Sequence, residues 1–371
     1  MKLLQVLEPG DCPQKATWYS LAPPGHGPCA RVGHNCLYLP PDQDTEQGKV
    51  FIIGGANPDG SFSDVYSIDL ATHQWNEIDC EGLLARYEHA SFLPFSNPGR
   101  IWVFGGADQS GNRNCLQALD LETRIWSTPN VTGTPPSPRT FHTASAVIGD
   151  QLYVFGGGEK GAKPVQDTQL HIFDATTLTW SQPETYGEPP QPRHGHVMVA
   201  LGSKLFVHGG LAEDEFYDDL YCIDTNDMTW EKLETTGDVP TGCAAHSAVA
   251  MEKHIYIFGG MAPTGALATM YQYHIERRHW SLLKFDTYSP LGRLDHSMCI
   301  IPWHVASTSE EEHTNLGNVN NNVEKEGLAD EIVKEVDDLN KKETDTFLCL
   351  VFGGMNTEGE IYNDCVVTLI D

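Results

Sequence analysis

Short apolar runs that end in a pair of glycines recur along the chain. The pairs begin at residues 54, 105, 156, 209, 259 and 353, and the first five follow each other at intervals of 50 to 53 residues. The run before Gly54 is Val-Phe-Ile-Ile, and the run before Gly156 is Leu-Tyr-Val-Phe. Such runs closed by glycine predict buried strands. A second strand, which ends in Asp in four of the first five periods, and then a tryptophan follow these pairs, with the tryptophan about 20 residues past the glycines.

An Arg-x-x-His motif precedes the first strand of nearly every period. Only the fifth period differs, because Cys243 stands where the arginine is expected before His246. Four strands per period, separated by turn residues, form a propeller blade, so the sequence predicts an all-β, six-bladed propeller. The sixth period has no tryptophan after its glycines, and the matching residue is Trp18. We therefore predict that the N-terminal segment supplies the outermost strand of blade six and closes the ring.

The predicted organisation is an N-terminal tail at 1–16, a propeller at 17–371 and an insertion at 303–346. The insertion carries twelve acidic residues against four lysines, a composition that indicates disorder. One stretch within it has apolar residues at helical spacing, at Ile332, Val333, Val336 and Leu339. This stretch is a candidate docking helix, and the preferred alternative is a solvated loop with a chance apolar pattern.

The charge of the chain excludes two classes of ligand. Acidic residues outnumber basic ones by 51 to 23, which gives a formal net charge of −28. Nucleic-acid binding and adhesion to an anionic membrane both need basic clusters, so neither is expected. No apolar segment is long enough to insert into a membrane, and the ten cysteines form no C-x-x-C pair. We expect a cytoplasmic monomer with free thiols, most of them buried.

The recurring arginines are the most suggestive charged residues. Because the strands that they precede converge at one mouth of the propeller channel, they could form a cationic site for carboxylates or phosphates. The preferred alternative is that each arginine pairs with an acid or a carbonyl of a neighbouring blade. The aromatic residues nearby are candidate partner contacts or packing between blades. The candidate residues at the channel mouth are Arg31, Arg86, Tyr87, Arg139, Phe141, Arg193, Phe216 and Arg293.

No catalytic constellation is visible. The six histidines of the repeat stand one per blade, whereas metal ligands must converge within about 2 Å of one ion. We therefore interpret them as hydrogen-bonding groups between blades. The sequence has no Gly-x-Ser-x-Gly elbow and no phosphate-binding Gly-Lys-Ser/Thr loop. We expect no enzyme activity, no cofactor and no metal ligand.

The glycine pairs, spaced aromatics and tryptophans resemble the kelch repeat, and the resemblance covers nearly the whole chain. Kelch enzymes are similar to this chain in fold only. The nitrile-specifier type binds its metal with a Glu-x-x-x-Asp-x-x-x-His run. The most similar segment here is Glu360-x-x-x-Asp364-x-x-x-Thr368, which has threonine in place of the histidine. Because kelch propellers serve many functions, the fold alone does not choose one.

Longer segments are similar to the kelch proteins that act as effectors of Rab GTPases. They include Arg139-Thr-Phe-His-Thr, Cys243-Ala-Ala-His-Ser-Ala-Val and the segment from Arg293 to Trp303. This resemblance implies binding to a GTP-bound late-endosomal Rab GTPase in endosome to trans-Golgi transport of mannose-phosphate receptors. It also implies peripheral recruitment to those membranes and a phosphoinositide kinase as a further candidate partner. The alternatives are a substrate adaptor of a ubiquitin ligase and, less favoured, a small-molecule enzyme.

Overall fold

The computed structural model describes residues 3–41, 47–140, 146–160, 163–306 and 346–370. Within these ranges the chain forms strands and turns and no helix, and its six main sheets are arranged as a six-bladed propeller. The predicted all-β propeller is therefore confirmed. The described residues include no helix long and apolar enough to cross a membrane.

Each blade is an antiparallel sheet whose strands follow the chain from the channel outward. Blade one is formed by Asn35–Leu39, Lys49–Ile53, Val65–Asp69 and Gln74–Glu77. Blade two is formed by Ala90–Phe92, Arg100–Phe104, Leu116–Asp120 and Ile125–Ser127. Blade three is formed by Ala146–Ile148, Gln151–Val154, His171–Asp174 and Thr179–Ser181. Blade four is formed by Val197–Leu201, Lys204–His208, Leu220–Asp224 and Thr229–Lys232.

The last two blades each have a fifth strand. Blade five is formed by Ser247–Met251, His254–Phe258, Met270–His274 and His279–Leu282, with Thr236–Gly237 added in parallel. Blade six is formed by Ser297–Trp303, Thr346–Phe352, Cys365–Ile370, Trp18–Leu21 and Gln5–Val6.

The ring closes as predicted, between the two ends of the described chain. Trp18 pairs with Thr368 and Leu21 with Cys365, in antiparallel register. Gln5–Val6 then adds in parallel to this strand, and Leu7 is buried. Part of the segment predicted as a tail at 1–16 therefore belongs to the sheet and the core.

The insertion lies between the innermost and second strands of blade six. Trp303 pairs with Thr346, so the residues chosen as its boundaries are themselves strand residues. Residues 307–345, which include the candidate docking helix, lie outside the described residues.

Small hairpins follow the first five glycine pairs and were not predicted. They are Ala56–Asn57 with Gly60–Ser61, Ala107–Asp108 with Gly111–Asn112, Gly158–Lys160 with Lys163–Pro164, Leu211–Ala212 with Glu215–Phe216, and Met261–Ala262 with Gly265–Ala266. In the sixth blade a single bridge joins Met355 to Ile361. We call the side of the propeller that carries these hairpins the hairpin face. The opposite side carries the turns between first and second strands.

The core consists of six apolar clusters, and each lies between two neighbouring blades. One joins Tyr19 and Leu350 of blade six to Val50 and Tyr66 of blade one. The others join blades one and two, two and three, three and four, four and five, and five and six. Burial of this surface is the main favourable term in holding the blades together.

The glycine pair is required where blades one and two meet because backbone and side-chain atoms approach both glycines closely. A Cβ on Gly54 would lie 2.7 Å from the carbonyl oxygen of Arg86 in blade two, and one on Gly55 would lie 2.9 Å from Cβ of His34. Both glycines have positive φ. The amide of Gly55 donates to the Arg86 carbonyl at 2.9 Å, and the same bond recurs at the other five junctions.

Candidate partner-binding surfaces

The five arginines predicted at the channel mouth are completely buried, with 0% of each residue exposed. In blade four, Nη1 of Arg193 donates to Oδ1 of Asp219 at 2.6 Å and to the carbonyl of Gly209 at 2.9 Å. Arg31 pairs in the same way with Asp64, and Arg293 with Asp364. Each guanidinium thus holds together three loops of its own blade.

The remaining two arginines are buried in the same way, but their side-chain partners bind them more weakly. Nη2 of Arg139 lies 3.3 Å from Oδ2 of Asp167. Arg86 has no acid there and donates to Oε1 of Gln117 at 2.6 Å. Burial therefore lowers the pKa of Arg86, whereas at Arg31 the effect of burial is outweighed by Asp64 and the pKa is raised.

These contacts support the structural interpretation of the arginines. The acids belong to the same blade as the arginine, not to a neighbour as the sequence analysis expected. Because the guanidinium groups are buried and paired, they offer no cationic surface at the channel mouth.

Two of the three aromatic candidates lie on the hairpin face and are half-buried. Tyr87 pairs with Ala107 through the backbone, and Phe216 pairs with Leu211 in the hairpin of blade four. Both keep part of the ring accessible, so both stay candidate contacts. Phe141 lies outside the described residues.

Five histidines of the repeat lie among the described residues and are buried at blade junctions: His34, His89, His196, His246 and His296. Nε2 of His34 lies 3.1 Å from the carbonyl of Phe352, and Nε2 of His196 lies 3.0 Å from the carbonyl of Phe155. Both contacts cross to the preceding blade, as the hydrogen-bonding interpretation predicted. His89 and His296 differ, because both ring nitrogens of each are buried without a hydrogen-bond partner. Burial lowers the pKa of His34 to about 3, so this ring is neutral at physiological pH.

A large apolar groove lies on the face opposite the hairpins and was not predicted. It has a volume of about 950 Å³ and is formed by turns of blades one, two and three. Its lining includes Pro41, Leu93, Phe95, Leu121 and Val147. Phe95 is 86% exposed, which is unusual for a large aromatic side chain. Exposed apolar grooves of this kind mark sites of protein interaction.

A second group that the sequence analysis missed is buried where blades four and five meet. Donor atoms of His208, Cys243 and His246 lie within 4.8 Å of one another. The sequence carried a signal for it, because Cys243 interrupts the arginine series and His208 interrupts the apolar series before the glycine pairs.

Comparison with known proteins identifies the repeat. The kelch-repeats domain described as KLHDC2/KLHL20/DRC7 matches residues 45–260 and 145–308. The chain belongs to the kelch-repeat family. Relatives of this kelch protein extend over its whole length. A Homo sapiens protein named Rab9 effector protein with kelch motifs is 70% identical over 372 residues, covering 100% of both chains. Proteins of the same name from Bos taurus and Danio rerio are 71% and 53% identical, each covering 100% of both chains.

Proposed function

We propose that this kelch protein is a non-catalytic effector of a Rab GTPase. The observation that carries the proposal is its identity of 70% over full length to a protein named as a Rab9 effector. The partner is a late-endosomal Rab in its GTP-bound state, and the process is return of mannose-phosphate receptors from endosomes to the trans-Golgi network. The protein acts as a monomer that the Rab recruits to the membrane, and a phosphoinositide kinase is a further partner.

An effector must distinguish two nucleotide states of its partner. The switch segments of a GTPase are ordered by the γ-phosphate and released on hydrolysis. A surface that contacts those segments therefore binds the GTP form more tightly, because binding the GDP form requires their ordering first. A preference of about 100-fold corresponds to about 2.7 kcal/mol of differential contact, which a few buried side chains supply.

We propose that the apolar groove of blades one to three is the surface that receives the Rab. It combines the exposed ring of Phe95 with Leu93, Pro94 and Leu121 in one concave surface. A polar rim adjoins it, including Asn97, Asp120 and Glu122. An apolar centre with a polar rim is the usual anatomy of a protein interface. The paired arginines on the hairpin face offer no comparable anchor.

Binding of the full chain to Rab9 loaded with a GTP analogue or with GDP tests both parts of this proposal. We expect binding selective for the GTP form and at least about tenfold weaker binding by Phe95→Ser, because truncating a central aromatic anchor costs more than 1 kcal/mol. Phe216→Ser and Tyr87→Ser on the hairpin face are the matched controls and keep the wild-type affinity. Equal affinity for the two nucleotide states refutes the effector role. A loss with Phe216→Ser but not with Phe95→Ser moves the interface to the hairpin face.

A further inference from the structure

The junction of blades four and five departs from the repeat at two positions that meet in space. The residue before the glycine pair is His208 here, and in the other blades it is Ile53, Phe104, Phe155, Phe258 or Phe352. The residue that opens the next blade is Cys243 here and arginine in the other five. Both changes introduce a metal-binding atom, and both are buried beside His246, the histidine of the repeat.

The three side chains have nearly the spacing of ligands on one ion. Nδ1 of His208 and Nε2 of His246 are 3.1 Å apart. Two nitrogens bound at about 2.0 to 2.1 Å in a tetrahedral arrangement lie about 3.3 Å apart, and a nitrogen and a sulfur lie about 3.5 Å apart. Because all three donor atoms already lie within 4.8 Å of one another, ordinary side-chain rotations bring them onto one ion.

The contact between the two rings leaves part of their hydrogen-bonding capacity unused. The second nitrogens, Nε2 of His208 and Nδ1 of His246, are buried without a hydrogen-bond partner. Nδ1 of His34, His89 and His296 is in the same position at other junctions, so the atom particular to this junction is Nε2 of His208. Whichever tautomer is present, one buried donor and one buried acceptor stay unsatisfied, which costs free energy. The phenylalanine of four other blades would avoid this cost at position 208. Packing alone therefore does not explain the histidine.

The loss of the arginine also removes a charge that would repel a cation. In the other five blades a buried guanidinium occupies this part of the blade, paired in four of them with an aspartate before the third strand. Blade five replaces that aspartate with Thr269, so neither member of the ion pair is present beside Cys243.

We propose that His208, Cys243 and His246 bind one thiophilic closed-shell metal ion, of the class of Zn(II) and Cu(I). Thiolate and imidazole are the donors that select such ions. With Cu(I) the site is neutral, since one thiolate balances one positive charge, and with Zn(II) it carries one positive charge. The ion ties the second strand of blade four to the start of blade five.

Binding releases one proton to solvent, from the thiol of Cys243. Burial raises the pKa of this thiol to about 12, so the metal-free protein holds it protonated. The ion displaces the proton and forms the metal–sulfur bond, while both imidazoles bind as neutral rings.

The metal content of the purified full chain tests the proposal. Metal-free protein is loaded separately with Zn(II) and, anaerobically in reducing buffer, with Cu(I), then desalted and analysed by elemental mass spectrometry. We expect the protein to retain one ion per chain after loading with at least one of the two metals. The metal that is retained identifies the ion. Substitution with Co(II) gives a thiolate-to-cobalt charge-transfer band if Zn(II) is the ion.

Two variants remove ligands, and one neighbouring variant serves as control. His208→Phe recreates the residue of four other blades and Cys243→Ser removes the sulfur, and both are expected to lose the ion. Cys222→Ser removes a buried thiol from the third strand of blade four and keeps it. If Cys243→Ser fails to fold, the metal content of His208→Phe tests the proposal. Retention of no ion from either source by the wild type overturns the proposal, as does full retention by His208→Phe.

Discussion

Each buried arginine and its partner form a unit whose members are costly to separate. The pair of Arg193 and Asp219 is held by two hydrogen bonds, at 2.6 and 3.3 Å, and the arginine also stacks on Tyr217 with 4.1 Å from its guanidinium carbon to the ring centre. Removing one member leaves the other charge poorly solvated. The pair thus makes the conformation of three loops depend on one side chain.

We predict that Arg193→Ala lowers the free energy of unfolding by about 3–5 kcal/mol, because Asp219 then lacks its counter-charge. Denaturant unfolding followed by circular dichroism measures the loss. Arg278→Ala is the control, since Arg278 pairs with Glu231 at the surface and its removal costs at most about 1 kcal/mol. The double variant Arg193→Cys with Asp219→Thr copies blade five and recovers part of the loss. Equal stability of the two single variants contradicts the prediction.

The sequence placed these arginines in the repeat but did not show which way their side chains turn. In four blades the arginine turns toward an acid before the third strand, which is Asp64, Asp167, Asp219 or Asp364, and in blade two Arg86 turns the same way toward Gln117. In blade five Thr269 accompanies Cys243, so arginine and acid are lost together. That joint loss was readable in the sequence and points to pairing within a blade.

At the level of elements, the N-terminal strand decides whether blade six is complete. Trp18 is fully buried, and its ring centre lies 5.1 Å from Phe258 and 5.3 Å from Phe285. These contacts reach blade five and the segment that follows it. The strand Trp18–Leu21 therefore covers an edge that would otherwise be open to pairing with another chain.

We predict that Trp18→Ala lowers the free energy of unfolding by about 3–5 kcal/mol and increases self-association, because the buried ring is lost and the blade edge opens. Thermal unfolding and size-exclusion chromatography measure the two effects. Trp75→Ala is the matched control, since Trp75 holds the same place in blade one but is only half-buried. We expect this substitution to lower the free energy of unfolding by less. Equal losses in the free energy of unfolding from the two variants would show that ring closure adds nothing to stability.

Main strands were predictable because a buried strand leaves a strong apolar signature. The Ile-Trp-Val-Phe run of blade two corresponds to the described strand Arg100–Phe104. The hairpin strands and Gln5–Val6 were not predictable, since each is only two or three residues long. Elements of that length have no periodicity to detect.

For the molecule as a whole, neutral histidines that are buried at blade junctions make the ring sensitive to acid. His34, His89 and His296 are fully buried, and burial lowers the pKa of each, that of His34 to about 3. In the unfolded chain a histidine binds a proton below about pH 6.5. The unfolded state therefore binds more protons than the folded state, and stability is lost as the pH falls below about 6.5.

We predict that the free energy of unfolding falls between pH 7.5 and pH 5.5 by about 1 kcal/mol for each of these histidines. Urea unfolding at both pH values measures the change, with chelator present throughout. Carboxylates contribute little in this range because unfolded Asp and Glu titrate near pH 4. His26→Gln replaces an exposed histidine and is the control. We expect this variant to show the same difference in the free energy of unfolding between the two pH values as the wild type. Stability that is constant across this range would contradict the prediction.

The groove is a property of the assembled ring and could not be predicted from one repeat. Phe95 lies in a turn between Pro94 and Pro98, and nothing in that turn distinguishes a packed ring from an exposed one. Its exposure is set by the relative positions of Leu39, Leu121 and Val147 from three blades. The kelch period fixes the number of blades, but the shape between their turns depends on non-repeating residues.

The pairing of Trp18–Leu21 with Cys365–Ile370 has a consequence for biosynthesis. The ribosome makes the first strand early and its partner only after more than 340 further residues. At about 5–20 residues per second, the nascent chain keeps its N-terminal strand unpaired for roughly 20–70 s. During that time the early blades can form while the strand stays open to chaperones or to a neighbouring nascent chain. Completion of the ring thus waits for synthesis of the strand Cys365–Ile370, and crowding of nascent chains on a polysome is a condition under which this fold is vulnerable to misassembly.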